Sequence, residues 1–277
     1  QLLFDLGDGK PQLYEFLVED FLPERLALEL KGNDAPIKPT ETAQISVNGR
    51  YLYGAPAAGN RLSGQVYVRP LREALKSLPG YQFGSVTEEE LSQDLELEET
   101  ALDEDGEVLI SLDSKWAEVK SPLQLIVQAS LQESGGRPIT RRVVQPVWPA
   151  ERMPGLRGLF EGEETDGDAP VEFELLVADK EGHKLAADNL KVRLVRERRD
   201  YYWNYSDNDG WSYHFNEKFL NQAEETLSIK AGDTAKVSFP VEWGPYRVEV
   251  EDPQTGVISS VRFWAGYRAQ DNAEGGA

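Results

Sequence analysis

Tyr51-Leu52-Tyr53-Gly54-Ala55-Pro56-Ala57-Ala58-Gly59 is a Gly/Pro turn set between two alternating segments. Upstream, Ile45, Val47, Tyr51 and Tyr53 share one parity; downstream, Leu62, Gly64, Val66 and Val68 share one parity. Side chains of a β-strand alternate faces, so each arm reads as a strand with one buried face. Pro56 removes a backbone donor, and Gly54 and Gly59 admit dihedrals that other residues avoid, so the chain turns here. The expectation is a β-hairpin-like corner in an antiparallel sandwich, with nothing chemical in it.

The same alternation recurs on both sides. Leu26, Leu28 and Leu30 close an opening strand over residues 15–30. Residues 71–78 read as one or two short helical turns closed by Pro79-Gly80, and Leu95 and Leu97, then Val108, Ile110 and Leu112, resume the strand period. Leu123, Leu125, Val127, Ala129 and Leu131 form the cleanest strand of this half, and residues 139–144 return from it. Seven or so short strands separated by turn chemistry predict a sandwich. Trp148-Pro149-Ala150-Glu151-Arg152-Met153-Pro154-Gly155 then interrupts the pattern, because proline cannot donate to a sheet. A domain boundary is expected there. Beyond it lie a short strand over residues 156–160 and alternating runs at Val171 to Val177, Leu190 to Leu194, Leu227 and Ile229, Ala235 to Phe239, Tyr246 to Val250 and Val257 to Phe263. The fold class read from these runs is all-β, with tandem antiparallel β-sandwiches of fibronectin or immunoglobulin-like type.

Phe16-Leu17-Val18-Glu19-Asp20-Phe21-Leu22-Pro23, followed at the observed spacing by the Tyr51 to Gly59 corner, resembles the macroglobulin domains of the α2-macroglobulin family. The Ala55-Pro56-Ala57-Ala58-Gly59 form resembles its bacterial branch. In the second half the same resemblance is carried by Leu194-Val195-Arg196-Glu197-Arg198, Tyr202-Trp203, Gly210-Trp211, Val241 through Val250, and Phe263-Trp264-Ala265-Gly266-Tyr267. With the proline break and the polar, Gly-rich C-terminal stretch, the expected division is 1–14, a connector or the last strand of a preceding domain; 15–150 and 151–268, two β-sandwiches that the resemblance makes macroglobulin-type; 269–277, a flexible tail. The resemblance further implies a scaffold segment of a broad-spectrum protease inhibitor of host-defence type. In that family a target protease cuts a bait segment, the domains rearrange, and a Cys–Gln thioester captures the protease. The partners so implied are neighbouring domains of the same chain and target proteases of the full-length protein. Bacterial members are periplasmic and often lipid-anchored lipoproteins. The absence of an initiator Met and of a signal peptide leads to the expectation that the chain starts within something longer or after processing.

Composition excludes several classes of partner. The net charge is −20, from 49 acidic against 29 basic residues, and so opposes nucleic acid, whose binding needs cations against phosphate. Anionic membrane surfaces are disfavoured for the same reason, and no run approaches the length of a membrane span. Cysteine is absent, which excludes disulfides, thiolate metal sites and a thioester within this chain.

The candidates for chemistry are few. His183, in Lys180-Glu181-Gly182-His183-Lys184, reads as a hairpin tip, and His214 sits in an aromatic strand; neither has a nucleophile-elbow pattern nearby. Asp207-Asn208-Asp209-Gly210 matches part of a calcium loop, but Tyr205 and Asn216 stand where that loop needs ligands, so a hairpin turn is the better account. Glu161-Gly162-Glu163-Glu164-Thr165-Asp166-Gly167-Asp168 reads as a solvated acidic loop. No catalytic, cofactor-binding or metal residue is assigned, and no cofactor is expected. Tyr201, Tyr202, Trp203, Tyr205, Trp211, Tyr213 and Phe215 form an aromatic cluster, with Arg193 and Arg196 nearby to stack on its rings. That cluster carries the alternative reading, a glycan- or protein-binding module of a secreted protein. A standalone enzyme would need a convergent polar pocket that the sequence does not pick out.

Overall fold

The computed structural model describes residues 2–4, 12–14, 24–33, 35–88, 91–133, 136–206 and 210–266; at 2–4, 12–14, 199–206, 210–211 and 213–215 it describes the backbone. The Phe16 to Pro23 motif and the expected tail at 269–277 lie outside the described residues. Strands β1 (Leu2–Phe4) and β2 (Gln12–Tyr14) pair antiparallel with each other.

Among the described residues the first sandwich has seven strands. One sheet has the order β3-β4-β8, built from β3 (Leu26–Lys31), β4 (Ala43–Tyr51) and β8 (Glu107–Leu112). The other has the order β10-β9-β5-β7, built from β5 (Arg61–Pro70), β7 (Gln93–Ala101), β9 (Leu123–Gln132) and β10 (Ile139–Val147). The alternation of β9 puts Leu123, Leu125, Val127, Ala129 and Leu131 against Ile45 and Val47 of β4, and all are essentially inaccessible to solvent.

The corner is not a hairpin. Its two arms belong to opposite sheets: β4 pairs with β3 and β8, and β5 pairs with β7 and β9. The connection over residues 52–60 is longer than the roughly two to five residues of an ordinary hairpin loop. It folds back on its own strand, with Tyr51 N donating to Ala55 O at 2.8 Å and Ala57 N to Gly49 O at 3.0 Å. Ala57 then plugs the space between the sheets, fully buried. Gly106 meets it there with φ of +77°; a Cβ at that position would lie 2.4 Å from Gly49 O. Tyr53 shares the parity of the buried residues yet is 79% exposed, because the strand ends before it, and it stacks on Tyr51 instead.

The second sandwich follows. One sheet has the order β16-β13-β11-β6, with β6 (Gln82–Phe83), β11 (Met153–Gly158), β13 (Pro170–Ala178) and β16 (Ala235–Pro240). The other has the order β12-β18-β17-β14-β15, with β12 (Glu164–Thr165), β14 (Ala187–Ser206), β15 (Gly210–Ile229), β17 (Gly244–Asp252) and β18 (Val257–Ala265). Between them Val171, Phe173 and Leu175 face Val192, Leu194, Val248 and Phe263, with Phe160 edge-on to Phe173 at 5.6 Å.

Two expectations are corrected here. The strand expected over residues 156–160 runs from Met153 to Gly158, so it begins within the proline-rich stretch. Pro154 stands opposite Val177 of β13 but lies beyond the β6 pairing, which covers Gly155 and Leu156, so its missing N–H breaks no ladder bond on that side, where its carbonyl accepts from the Ser259 hydroxyl at 2.6 Å. The helical turns expected over residues 71–78 are turns and bends without a helix.

Candidate functional site

β6 lies within the sequence of the first sandwich but belongs to a sheet of the second. After β5 the chain leaves its own sandwich, crosses to the second, adds Gln82 and Phe83 as an edge strand against Gly155 and Leu156, and returns to form β7. This strap and the Trp148 connector enclose a separate apolar cluster: Leu75, Leu78, Tyr81 and Phe83 from the strap, Trp148 and Met153 from the connector, and Leu176, Ala178 and Val257 from the second sandwich. Leu176 and Ala178 point away from the second core, which is why β13 is buried on both faces from Leu175 onward. Phe83 is fully buried, and its ring lies 5.4 Å from that of Trp148 at 59°. Gly155 must be a glycine here, since a Cβ would come within 2.8 Å of the Phe83 ring.

Polar groups fix the register of this joint. Gly84 N donates to Ser259 Oγ at 2.8 Å, Ser260 N to Gly84 O at 3.0 Å, and Val86 N to Ser260 Oγ at 2.9 Å. The Arg72 guanidinium donates to the carbonyls of both Gly84 and Ser260. Its burial, with the charge of Arg262, lowers its pKa to about 10, so it stays charged at neutral pH. On the other side of the strap the Tyr81 hydroxyl donates to Glu174 Oε2 at 2.7 Å, Thr234 Oγ1 donates to Glu174 Oε1 at 2.9 Å, and Arg157 pairs with Glu174 while its guanidinium stands 4.7 Å over the Tyr81 ring. The Tyr81 hydrogen bond is the main cause holding the Glu174 carboxyl below its ordinary pKa; burial and then the Glu174 contact push the Tyr81 phenol up. Behind the connector, Arg152 makes a bidentate pair with the fully buried Asp252, at 2.6 and 2.9 Å, and reaches Ala186 O at 3.0 Å.

The residues singled out by the sequence are elsewhere. His183 is at a turn, as expected, with Nδ1 2.9 Å from Asp179 Oδ2; Asp179 also accepts from the backbone N–H groups of Glu181 and His183. Asp179, Glu181 and His183 are the one group of three potential metal ligands among the described residues, and the Asp179 carboxylate is already engaged by its own turn. The Glu161 to Asp168 stretch is exposed, as expected, but it also contributes β12, which pairs parallel with β18 at Trp264 and Ala265. Arg193 pairs with Glu249 and Glu251, and Arg196 with Glu242, its guanidinium 5.6 Å from the Tyr246 ring. Asp207, Asn208 and Asp209 lie outside the described residues, as do the side chains of His214 and the aromatic cluster. The backbone there forms a ribbon: β14 and β15 pair from Ala187 and Ile229 to Ser206 and Gly210, while β17 supports β14 only from Lys191 to Arg196.

The joint was missed in the sequence. Its signals were the Ser259-Ser260 doublet in a mostly apolar strand, and Leu75, Leu78, Tyr81 and Phe83 in a stretch with no strand period.

Comparison with known proteins agrees with this architecture. The family described as the bacterial alpha-2-macroglobulin MG5 domain matches residues 24–149, and bacterial macroglobulin domain 6 matches residues 155–267. The chain is 48% identical to alpha-2-macroglobulin of Escherichia coli (strain K12) over 97% of its own length and 17% of that protein. It resembles the native conformation of E. coli alpha-2-macroglobulin seen by cryo-EM with a TM-score of 0.84 at 48% identity, over 97% of this chain and 18% of that one. It resembles the crystal structure of trypsin-activated E. coli alpha-2-macroglobulin with a TM-score of 0.80 at 44% identity, over 98% of this chain and 19% of that one. The chain thus spans about a sixth of the length of these relatives. With two consecutive macroglobulin domains recognised over most of its length, it belongs to the bacterial α2-macroglobulin family.

Proposed function

We propose that these two domains act as one rigid strut in a periplasmic protease trap, scaffold rather than enzyme. The full-length protein would meet target proteases; this part would hold neighbouring domains at a fixed spacing and orientation while the rest rearranges. One observation carries the reading: a strand of the first domain is built into a sheet of the second, over an apolar cluster shared by both. Two sandwiches joined by a connector alone would hinge, as small interdomain interfaces allow by default. The likeness to both the native and the trypsin-activated E. coli protein, across nearly the whole chain, supports the reading, since a changed angle between the domains would spoil one of the two superpositions.

The test is a distance across the joint. The chain has no cysteine, so nitroxide labels attach cleanly at Asp105→Cys in the first domain and Asp233→Cys in the second. Pulsed electron paramagnetic resonance on the labelled chain is expected to give one narrow distance. The same pair in the full-length protein is expected to keep that distance after trypsin is added. A broad distribution, or a distance that moves on activation, overturns the strut.

A further inference from the structure

The first sandwich is closed along one flank and open along the other. On the closed flank the chain after β3 crosses to the β10 edge. There the fully buried Gln145 accepts from Asn33 N at 2.6 Å and donates to Ala35 O at 3.1 Å, and Ile37 bridges Val147. On the open flank, among the described residues, β7 pairs only with β5 and β8 only with β4. Two sheet edges therefore face the same mouth. A cleft of about 660 Å³ lies between them. Its walls include Leu95 and Leu97 from β7 and Val108, Ile110 and Leu112 from β8. Each of these side chains faces the core by parity and packs on its rim, yet each is only partly buried, while the corresponding residues of β9 are fully buried. Glu96, Glu98, Glu99 and Asp113 rim the mouth against Lys115, and Glu99 is already paired with Arg61.

We propose that this mouth receives an extended segment of a partner polypeptide that alternates apolar and basic residues. The geometry is that of strand addition: an edge strand presents its outward backbone groups along the cleft, and alternate side chains of the added strand enter it. Apolar residues of the incoming strand would complete the burial of this row. The intervening residues would face the carboxylates, which makes them basic. Edge carboxylates also keep sheet edges of different copies apart; that accounts for the rim but not for the partly buried apolar row behind it. A second copy of this chain would bring the same carboxylates against these, so it is disfavoured as the occupant. No residue of the cleft lies in the strap or in the second domain, so this inference does not depend on the strut.

The experiment uses two fluorescein-labelled eight-residue peptides, one alternating valine and lysine, the other valine and glutamate. Fluorescence anisotropy against the 277-residue chain is expected to show binding of the lysine peptide alone, weakening as salt is raised. In Glu96→Lys/Glu98→Lys, both substitutions being at exposed positions, binding is expected to fall about tenfold, as two lost exposed ion pairs imply. Hydrogen exchange with the peptide bound is expected to slow at the amides of β7 or β8. Absence of binding, equal binding of the glutamate peptide, unchanged binding to the double variant, or protection confined to other strands would each overturn the proposal.

Discussion

Phe83→Ala tests whether the joint is a core in its own right. The ring is fully buried, stands 5.4 Å from Trp148, and covers the backbone of Gly155 so closely that a methyl group there would touch it. Removing a buried phenylalanine loses its transfer free energy, about 2–3 kcal/mol, and leaves a cavity that brings the total to about 3–5 kcal/mol. The upper half of that range applies, since the floor of the cavity is strand backbone and cannot collapse into it. Phe83 touches neither sandwich core, so the loss falls on the coupling between domains. Urea unfolding of the unsubstituted chain is expected to be one transition and that of Phe83→Ala two. By calorimetry the first to melt moves down by about 15 °C, taking roughly 4 °C per kcal/mol for a domain of this size. Hydrogen exchange locates the damage: amides of residues 71–88 lose protection while those of β9 and β17 keep theirs. A single shifted transition with β9 losing protection in step would show Phe83 to be an ordinary core residue of the first sandwich and would refute the reasoning.

Arg152→Met leaves the Asp252 carboxylate buried without its bidentate partner, at a cost of about 3–5 kcal/mol, read as a lower urea midpoint for the second domain. Glu174→Gln reports on pH. The Glu174 pKa is lowered in the folded chain, so its contribution is complete above the ordinary carboxylate value of about 4.3 and is lost as pH falls through the lower folded value. Denaturant midpoints are therefore expected to differ most between parent and variant at neutral pH and to converge below pH 4; a constant gap would rule out the linkage. Gly84→Ala and Gly54→Ala share positive φ but not surroundings. A Cβ at Gly84 lies 2.5 Å from Ser121 Cβ, whereas nothing stands within 4 Å of one at Gly54. Thermal melts should show about 1 kcal/mol of backbone strain at Gly54 and clearly more at Gly84.

Strands buried on one face were legible because burial repeats every second residue; β9 is the plainest instance. The corner was not, since alternation says that an arm has a buried face and not which sheet it joins. The strap was harder still. Leu75, Leu78, Tyr81 and Phe83 keep neither period because no single regular element carries them; they are held by another domain. The middle of β15, from Asn216 to Gln222, was missed for the opposite reason: every residue there is exposed, so no apolar pattern marks it, and its ladder pairs it with β14 while Arg247 lies 4.6 Å over the Phe219 ring. Among the candidate sites, local chemistry sufficed for the His183 turn, whose partners are within a few residues. It could not reach the joint, where Gly84 and Ser259 are far apart in sequence.

The joint combines two kinds of contact that resist different motions. An apolar cluster opposes separation, because pulling the domains apart returns Leu75, Leu78, Phe83 and Leu176 to water, but apolar contact is non-directional and permits sliding. The hydrogen bonds of Gly84 and Val86 to Ser259 and Ser260 oppose sliding. Moving β18 by one residue past the strap would leave these buried groups unpaired, at about 1–3 kcal/mol each. Arg72 adds a charged donor that no other register of the strap would satisfy with both Gly84 and Ser260 carbonyls. Separation and shear are thus opposed by different atoms, and substitutions can remove one without the other. That division is what a part transmitting force between neighbours needs, and it is absent from a pair of domains that merely touch.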